Sequence, residues 1–293
     1  MPFVAEAVAP FRWNITKREQ LGELLDGEAK TLPDKLLPEF REAAAKIVAS
    51  AGNAELVFVG RSPENLFDYL SGAFSALSQS RSLTLLQVSY RNAPTIDLPY
   101  KKLAHFLQYM RQESLDPHAL ASQGKVVRFV DVVSTGSTFQ RLVETLRDWS
   151  DAEGADWNVV SSKIGFVGLT VRGKNSPHAF RWQQTKRWRE IAGRIHVKNV
   201  SLSPPLWHQL GNVDPKVTPP HRSDRWGSRL SASPDRDEEH LKALRGAVQL
   251  YDRAADRAER VKLSRAIAQQ PQMSEPWLRS LVLELKTRSG KAS

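Results

Sequence analysis

The chain has 293 residues, 41% of them hydrophobic, a formal net charge of +10 and no cysteine, enough apolar material for one large or two modest domains but none for a disulfide framework, thiolate metal site or cysteine nucleophile. Met1-Pro-Phe-Val-Ala-Glu6 lacks a basic segment followed by a long apolar core, and no apolar run reaches bilayer length, so a cytoplasmic protein with no membrane partner is expected. The histidines show no i, i+3 or i, i+4 pairing, and Gly-x-Ser-x-Gly, paired catalytic carboxylates and internal repeats are missing, which leaves hydrolase and metalloenzyme readings without support.

Residues 1–52 read as an N-terminal helical region. Thr16 is placed to cap a short helix, Pro33 and Asp34 restart the chain, and Phe40, Ala44, Ile47 and Val48 share one face of a helix over Glu39–Ala51. Glu55–Gly60 is a short buried strand. Ser62 as N-cap and Pro63 in the first helical position then start a helix with Leu66, Phe67, Leu70, Phe74 and Leu77 on its apolar face. Glu64, in the first turn, is expected to point away from any anion bound there. Leu83–Ser89 is a further core strand. In Tyr90–Gly124, prolines surround a helical patch, Lys101–Arg111, whose Leu103, Phe106, Leu107 and Met110 face the core.

Val126–Gln140 organises the rest. Val126, Val127, Phe129, Val130, Val132 and Val133 form the β-branched-rich segment of a strand buried on both faces, and Asp131 sits where that strand should end. From Phe139 onward, Leu142, Val143, Leu146 and Trp149 recur on one helix face. Between them, Ser134-Thr135-Gly136-Ser137-Thr138 offers hydroxyls and backbone N–H groups to a phosphate at a helix N-terminus. Gly136 allows close approach and a conformation that a Cβ resists. The plain alternative is a strand-to-helix turn capped by Ser or Thr.

This stretch resembles the phosphoribosyl pyrophosphate (PRPP) loop of the type I phosphoribosyltransferases: an apolar strand, two acidic residues, two apolar or small residues, then Thr-Thr-Gly-Ser-Thr or a close variant. Asp131 takes the second acidic position, Ser134 and Thr135 the paired hydroxyls, and Gly136, Ser137 and Thr138 the rest of the loop; Val130 stands at the first acidic position. The resemblance covers about residues 40–210. It implies a sugar 5′-phosphate on Ser134–Thr138, ribose hydroxyls on Asp131, and pyrophosphate on the loop after the first core strand, where Gly60, Arg61 and Ser62 fall. Mg²⁺ is expected to come mainly on the ligand phosphates, with no protein metal site. The resemblance also implies a mobile loop with Arg91, Lys101 and Lys102 as basic candidates, and an acceptor-base hood near Ser203–His208.

Trp157–Val171 and Gly193–Ser201 look like later strands. Gly168–Asn175 has the spacing of a nucleotide-binding P-loop, but Asn175 replaces the metal-ligating hydroxyl, and a strand end, a Gly173-Lys174-Asn175 turn and a helix capped at Ser176 account for it better. Residues 171–230 hold twelve Lys/Arg against three Asp/Glu. Trp182, Trp188, Trp207 and Trp226 lie among these cations, a pattern that stacks unpaired bases or simply makes an amphipathic element. Residues 212–238 read as a proline-rich linker, and 239–293 as helices whose apolar faces dock on the parent domain or on a second copy in a homodimer.

The expected fold is α/β: a mostly parallel sheet of the phosphoribosyltransferase type over residues 53–211, helices on both faces, N-terminal helices and a C-terminal helical tail. Two functions follow. One is a Mg²⁺-dependent transferase acting on PRPP or a related sugar phosphate. The other is a catalytically silent regulator whose basic 171–230 region binds RNA or single-stranded DNA.

Overall fold

The computed structural model describes residues 9–78, 81, 83–90, 100–124, 126–171, 182–193, 195–228 and 233–287, with backbone alone for 100–102. Glu55–Val59 (β1), Leu83–Leu86 (β2), Val127–Val133 (β3), Ile164–Val171 (β4) and His196–Leu202 (β5) form one all-parallel sheet in the order β2-β1-β3-β4-β5. The helices are Leu37–Ala51 (α1), Glu64–Phe74 (α2), Tyr100–Gln112 (α3), Pro117–Ser122 (α4), Ser137–Glu153 (α5), Trp157–Lys163 (α6), Lys186–Ala192 (α7), Pro204–His208 (α8), Glu238–Ala255 (α9), Arg257–Ala268 (α10) and Pro276–Thr287 (α11). None of the described helices is long and apolar enough to cross a membrane.

Both faces of the central strands β1, β3 and β4 are covered, which is why these strands are largely apolar rather than alternating, while the edge strand β5 is mostly exposed. Leu56, Phe58, Val130, Val167 and Leu169 pack under α1, α2 and the C-terminal helices. Val57, Val59, Phe129, Val133 and Phe166 pack on the opposite side with α3, α5 and α7. Strand order reverses between β1 and β3, with β2 outside one and β4 and β5 beyond the other. In doubly wound sheets the crevice at such a reversal, outside the carboxyl ends of the strands, is the ligand site.

The C-terminal helices complete the core of the same chain. Leu250, Leu263, Leu278 and Leu285 are buried with Phe40, Ile47 and Leu66, and Arg41 donates to both oxygens of Glu259 at 2.6 and 2.9 Å while the Tyr69 hydroxyl donates to the same carboxylate at 2.9 Å. Gly72 of α2 lies so close to the Tyr251 carbonyl of α9 that no Cβ fits between them.

Several local expectations change. Thr16 caps nothing: its hydroxyl donates to Asn14 Oδ1 at 2.7 Å, and the segment forms short 3-10 turns at Arg18–Gln20 and Gly22–Leu25. Ser62 is not a side-chain cap either, because α2 starts at Glu64 behind Pro63. Trp157–Lys163 is helix rather than strand, since Asp156 accepts from the Asn158 amide at 2.8 Å and overrides the strand preference of Val159 and Val160. Within the expected linker, the stretch 214–226 is not solvated: Asp214, Lys216, Thr218, His221 and Trp226 are buried. Gly168–Val171 lies inside β4. The turn at 173–175, the Ser176 cap, Arg91 and the side chains of Lys101 and Lys102 fall outside the described residues.

Candidate anion-binding cleft

At the end of β1 the chain turns through Gly60 at φ 74°, where its amide donates to the Leu86 carbonyl at 2.8 Å and a Cβ would come 3.0 Å from the Val88 carbonyl oxygen. Only glycine takes that position without strain. The turn delivers Arg61, whose Nε is buried without a hydrogen-bond partner. Burial lowers the Arg61 pKa; Glu64 opposes that, and nearby Arg222 and Arg225 lower it further. An unpaired donor among nearby cations is chemically suited to an anion.

At the end of β3, Asp131 is 7% exposed. Its Oδ1 accepts from the Val132 amide at 2.7 Å, and the Thr138 side chain also bonds it. Burial outweighs both hydrogen bonds and pushes its pKa up to about 8, which favours the neutral acid, the form that can donate to a hydroxyl or phosphate oxygen. Gly136 then caps α5 at φ 80°, and a Cβ there would run into the Trp182 indole. The Gln140 amide donates to the Gly136 carbonyl at 3.0 Å. Ser137, Thr138 and Phe139 therefore precede the first helical bond, and their amides are the donors a helix offers to an anion.

The two turns share one cleft of 560 Å³, lined by Gly60, Arg61 and Ser62 on one side and Asp131, Ser137 and Thr138 on the other. Among the described residues, Ser134, Thr135 and Gly136 do not line it. Ser134 and Thr135 are exposed, the Thr135 hydroxyl donating to Ser137 Oγ at 3.2 Å, and Gly136 is buried beneath Trp182. Ser203–His208, the expected hood, is not in the lining either. Ser203 instead caps α8 and donates through its amide and hydroxyl to Glu39 at 2.6 and 2.5 Å.

The residues that periodicity did not reveal are Asp214, Lys216 and Arg222, which form the wall facing the two turns. The available signal was Val217 and Trp226, apolar residues in a charged stretch, both of them buried. Lys216 is 8% exposed, and its Nζ reaches the Ser62 carbonyl at 3.4 Å. Burial lowers its pKa, which Asp214 and Glu64 oppose. Asp214 accepts from Asn65 Nδ2 and Gln209 Nε2, each at 2.7 Å. Among the described residues no three His, Cys, Asp or Glu side chains gather into a metal site.

Val130 is fully buried on the sheet face opposite Asp131, paired in register with Phe58 and Val167. An acid there would enter the core instead of the cleft. Trp182, Trp188 and Trp226 are also buried, with Trp182 against Trp188 and Trp226 stacked on Phe106, so base stacking cannot use them as they stand. Comparison with family models, curated proteins and solved structures returns no match for this chain.

Proposed function

We propose that the cleft binds a phosphorylated sugar of the PRPP class and that the protein transfers its phosphoribosyl group to a nitrogen nucleophile, on a parallel sheet of the phosphoribosyltransferase type. The observation that carries this is the convergence of two strand-end turns, through Gly60, Arg61 and Ser62 of one and Asp131, Ser137 and Thr138 of the other, on one cleft at the point of strand-order reversal. In this reading the first-turn amides and hydroxyls of α5 hold the sugar 5′-phosphate. Protonated Asp131 donates to a ribose hydroxyl oxygen. A nucleophilic nitrogen forms a bond to C1′ while the C1′–O bond breaks, and the electron pair leaves on pyrophosphate. Arg61, Lys216 and Arg222 stabilise the negative charge gathering there.

Among the described residues, Asp131 and Asp214 are the carboxyl groups of the cleft lining. Burial favours the neutral form of Asp131, and both oxygens of Asp214 already accept hydrogen bonds. Among the described residues this donor set leaves no free carboxylate for a cation, so it fits Mg²⁺ carried on the ligand's own phosphate oxygens. When bound, the ion supplies charge neutralisation to the pyrophosphate.

Ligand binding without turnover is the second reading, with Val130 at the first acidic position of the loop, buried in the core instead of facing the cleft. Nucleic acid would then meet the basic region through phosphate contacts, and binding would weaken steeply with salt. Calorimetric titration with PRPP and Mg²⁺ tests both readings, and no heat at millimolar ligand refutes them together. Pyrophosphate release with nitrogen acceptors separates them: release supports the transferase, and binding without release supports the regulator.

A further inference from the structure

The cleft wall that bears Lys216 and Arg222 is a strap without helix or strand of its own, so something must hold it in place. At its far end the Ser89 amide donates to the His221 carbonyl at 2.9 Å, and Trp226 Nε1 donates to that same oxygen at 3.2 Å. At its near end Asn65 and Gln209 hold Asp214, and Glu64 holds the residues beyond Lys216. The Val217 amide donates to Glu64 Oε2 at 3.1 Å, and the Thr218 hydroxyl donates to Oε1 at 3.1 Å. Glu64 is fully buried and turned away from the cleft, into an ion pair with Arg12 Nε at 2.9 Å. Arg12 spans further, donating through Nη2 to both oxygens of buried Asp68 at 2.6 and 2.8 Å. Two carboxylates one turn apart on α2 are thus held by a single guanidinium from the N-terminal segment, and one of them grips the strap.

Resting on the function proposed above, we infer that Glu64 is a positioning residue: oriented by Arg12, it clamps Val217 and Thr218 and so seats Lys216 and Arg222 opposite the α5 turn. The N-terminal segment thereby sets affinity for the ligand's diphosphate end without touching the ligand. Two buried side chains on α2 and one strap hydroxyl do this work together, which is why a polar residue at Thr218 is 1% exposed. Losing a hydrogen bond from an uncharged donor to a buried carboxylate frees the strap by about a factor of ten or more.

The test uses the full chain and three variants, Thr218→Val, Thr218→Ser and Glu64→Gln. The first readout needs no ligand: the rate at which an amine reagent labels Lys216, followed by mass spectrometry, with exposed Lys186 as internal reference. Labelling of Lys216 is expected to rise about tenfold in Thr218→Val and Glu64→Gln, to stay at the wild-type rate in Thr218→Ser, and to leave Lys186 unchanged. The second readout is affinity for two probes, inorganic pyrophosphate and ribose 5-phosphate. Thr218→Val and Glu64→Gln are expected to weaken pyrophosphate about tenfold and to leave ribose 5-phosphate unaltered, with Thr218→Ser restoring both. Unchanged Lys216 labelling in Thr218→Val and Glu64→Gln overturns the inference, as does equal loss of both probes, which would mean that the whole cleft collapsed. If the wild-type chain binds neither probe, the proposed ligand class fails, and the labelling alone decides for or against the clamp.

Discussion

Replacing Asp131 by asparagine tests whether the cleft holds a neutral acid. Burial drives this carboxyl from an ordinary value of 3.8 to about 8, against hydrogen bonds from the Val132 amide and the Thr138 side chain. In the unfolded chain the group ionises near its ordinary value. Between the two pKa values the unfolded state therefore binds fewer protons than the folded one, and stability falls as pH rises. One proton gives a slope of about 1.4 kcal/mol per pH unit, or roughly 4 kcal/mol accumulated between about pH 5 and 8. Asparagine keeps an oxygen for the Val132 amide and cannot ionise, so its stability relative to wild type should grow by that amount over the same range. Urea unfolding midpoints of both proteins, taken at pH values from about 5 to 8, measure the difference directly. Parallel curves would show that the carboxyl is already ionised in the folded protein and would refute the assignment of Asp131 as a donor.

The same group links pH to the ligand. Affinity of the wild-type cleft for ribose 5-phosphate should drop as pH rises through about 8, where Asp131 becomes an anion facing an anion, and Asp131→Asn should lose that step. Gly136→Ala forces a side chain into a left-handed position and into Trp182. The conformational and packing costs together come to about 2–4 kcal/mol, a fall of roughly 5–10 °C in melting temperature; a fall under about 2 °C would show that the turn relaxes freely. Gly72→Ala should cost about 1–3 kcal/mol by wedging α2 from α9, with faster amide exchange confined first to α9. Val130→Asp should destabilise the fold by about 3–5 kcal/mol and create no activity, because its carboxylate enters the core facing away from Asp131. A stable, active Val130→Asp protein would disprove that orientation.

Periodicity located the core strands and the helices α1, α2 and α5. Runs such as Leu56–Val59 and Val127–Val133 are apolar at nearly every position, which only a parallel sheet covered on both faces requires, and the glycines after them fall where the backbone must turn sharply. Gly60–Ser62, Asp131, Ser137 and Thr138 meet in one cleft because both turns are fixed locally at strand ends that the topology brings side by side, whereas Ser134, Thr135 and Gly136 lie outside its lining. Local chemistry misassigned Trp157–Lys163, where one capping aspartate outweighed two valines. The wall of the cleft was decided by tertiary structure alone. Whether Lys216 lies in solvent or in a cleft depends on Glu64, and the orientation of Glu64 depends on Arg12, contacts that span 153 and 52 positions of chain. Val217 and Trp226 hint that this charged, proline-rich stretch packs, but they do not say that Lys216 is buried, because the partners that make burial tolerable for a charge are supplied by distant segments only once the chain has folded.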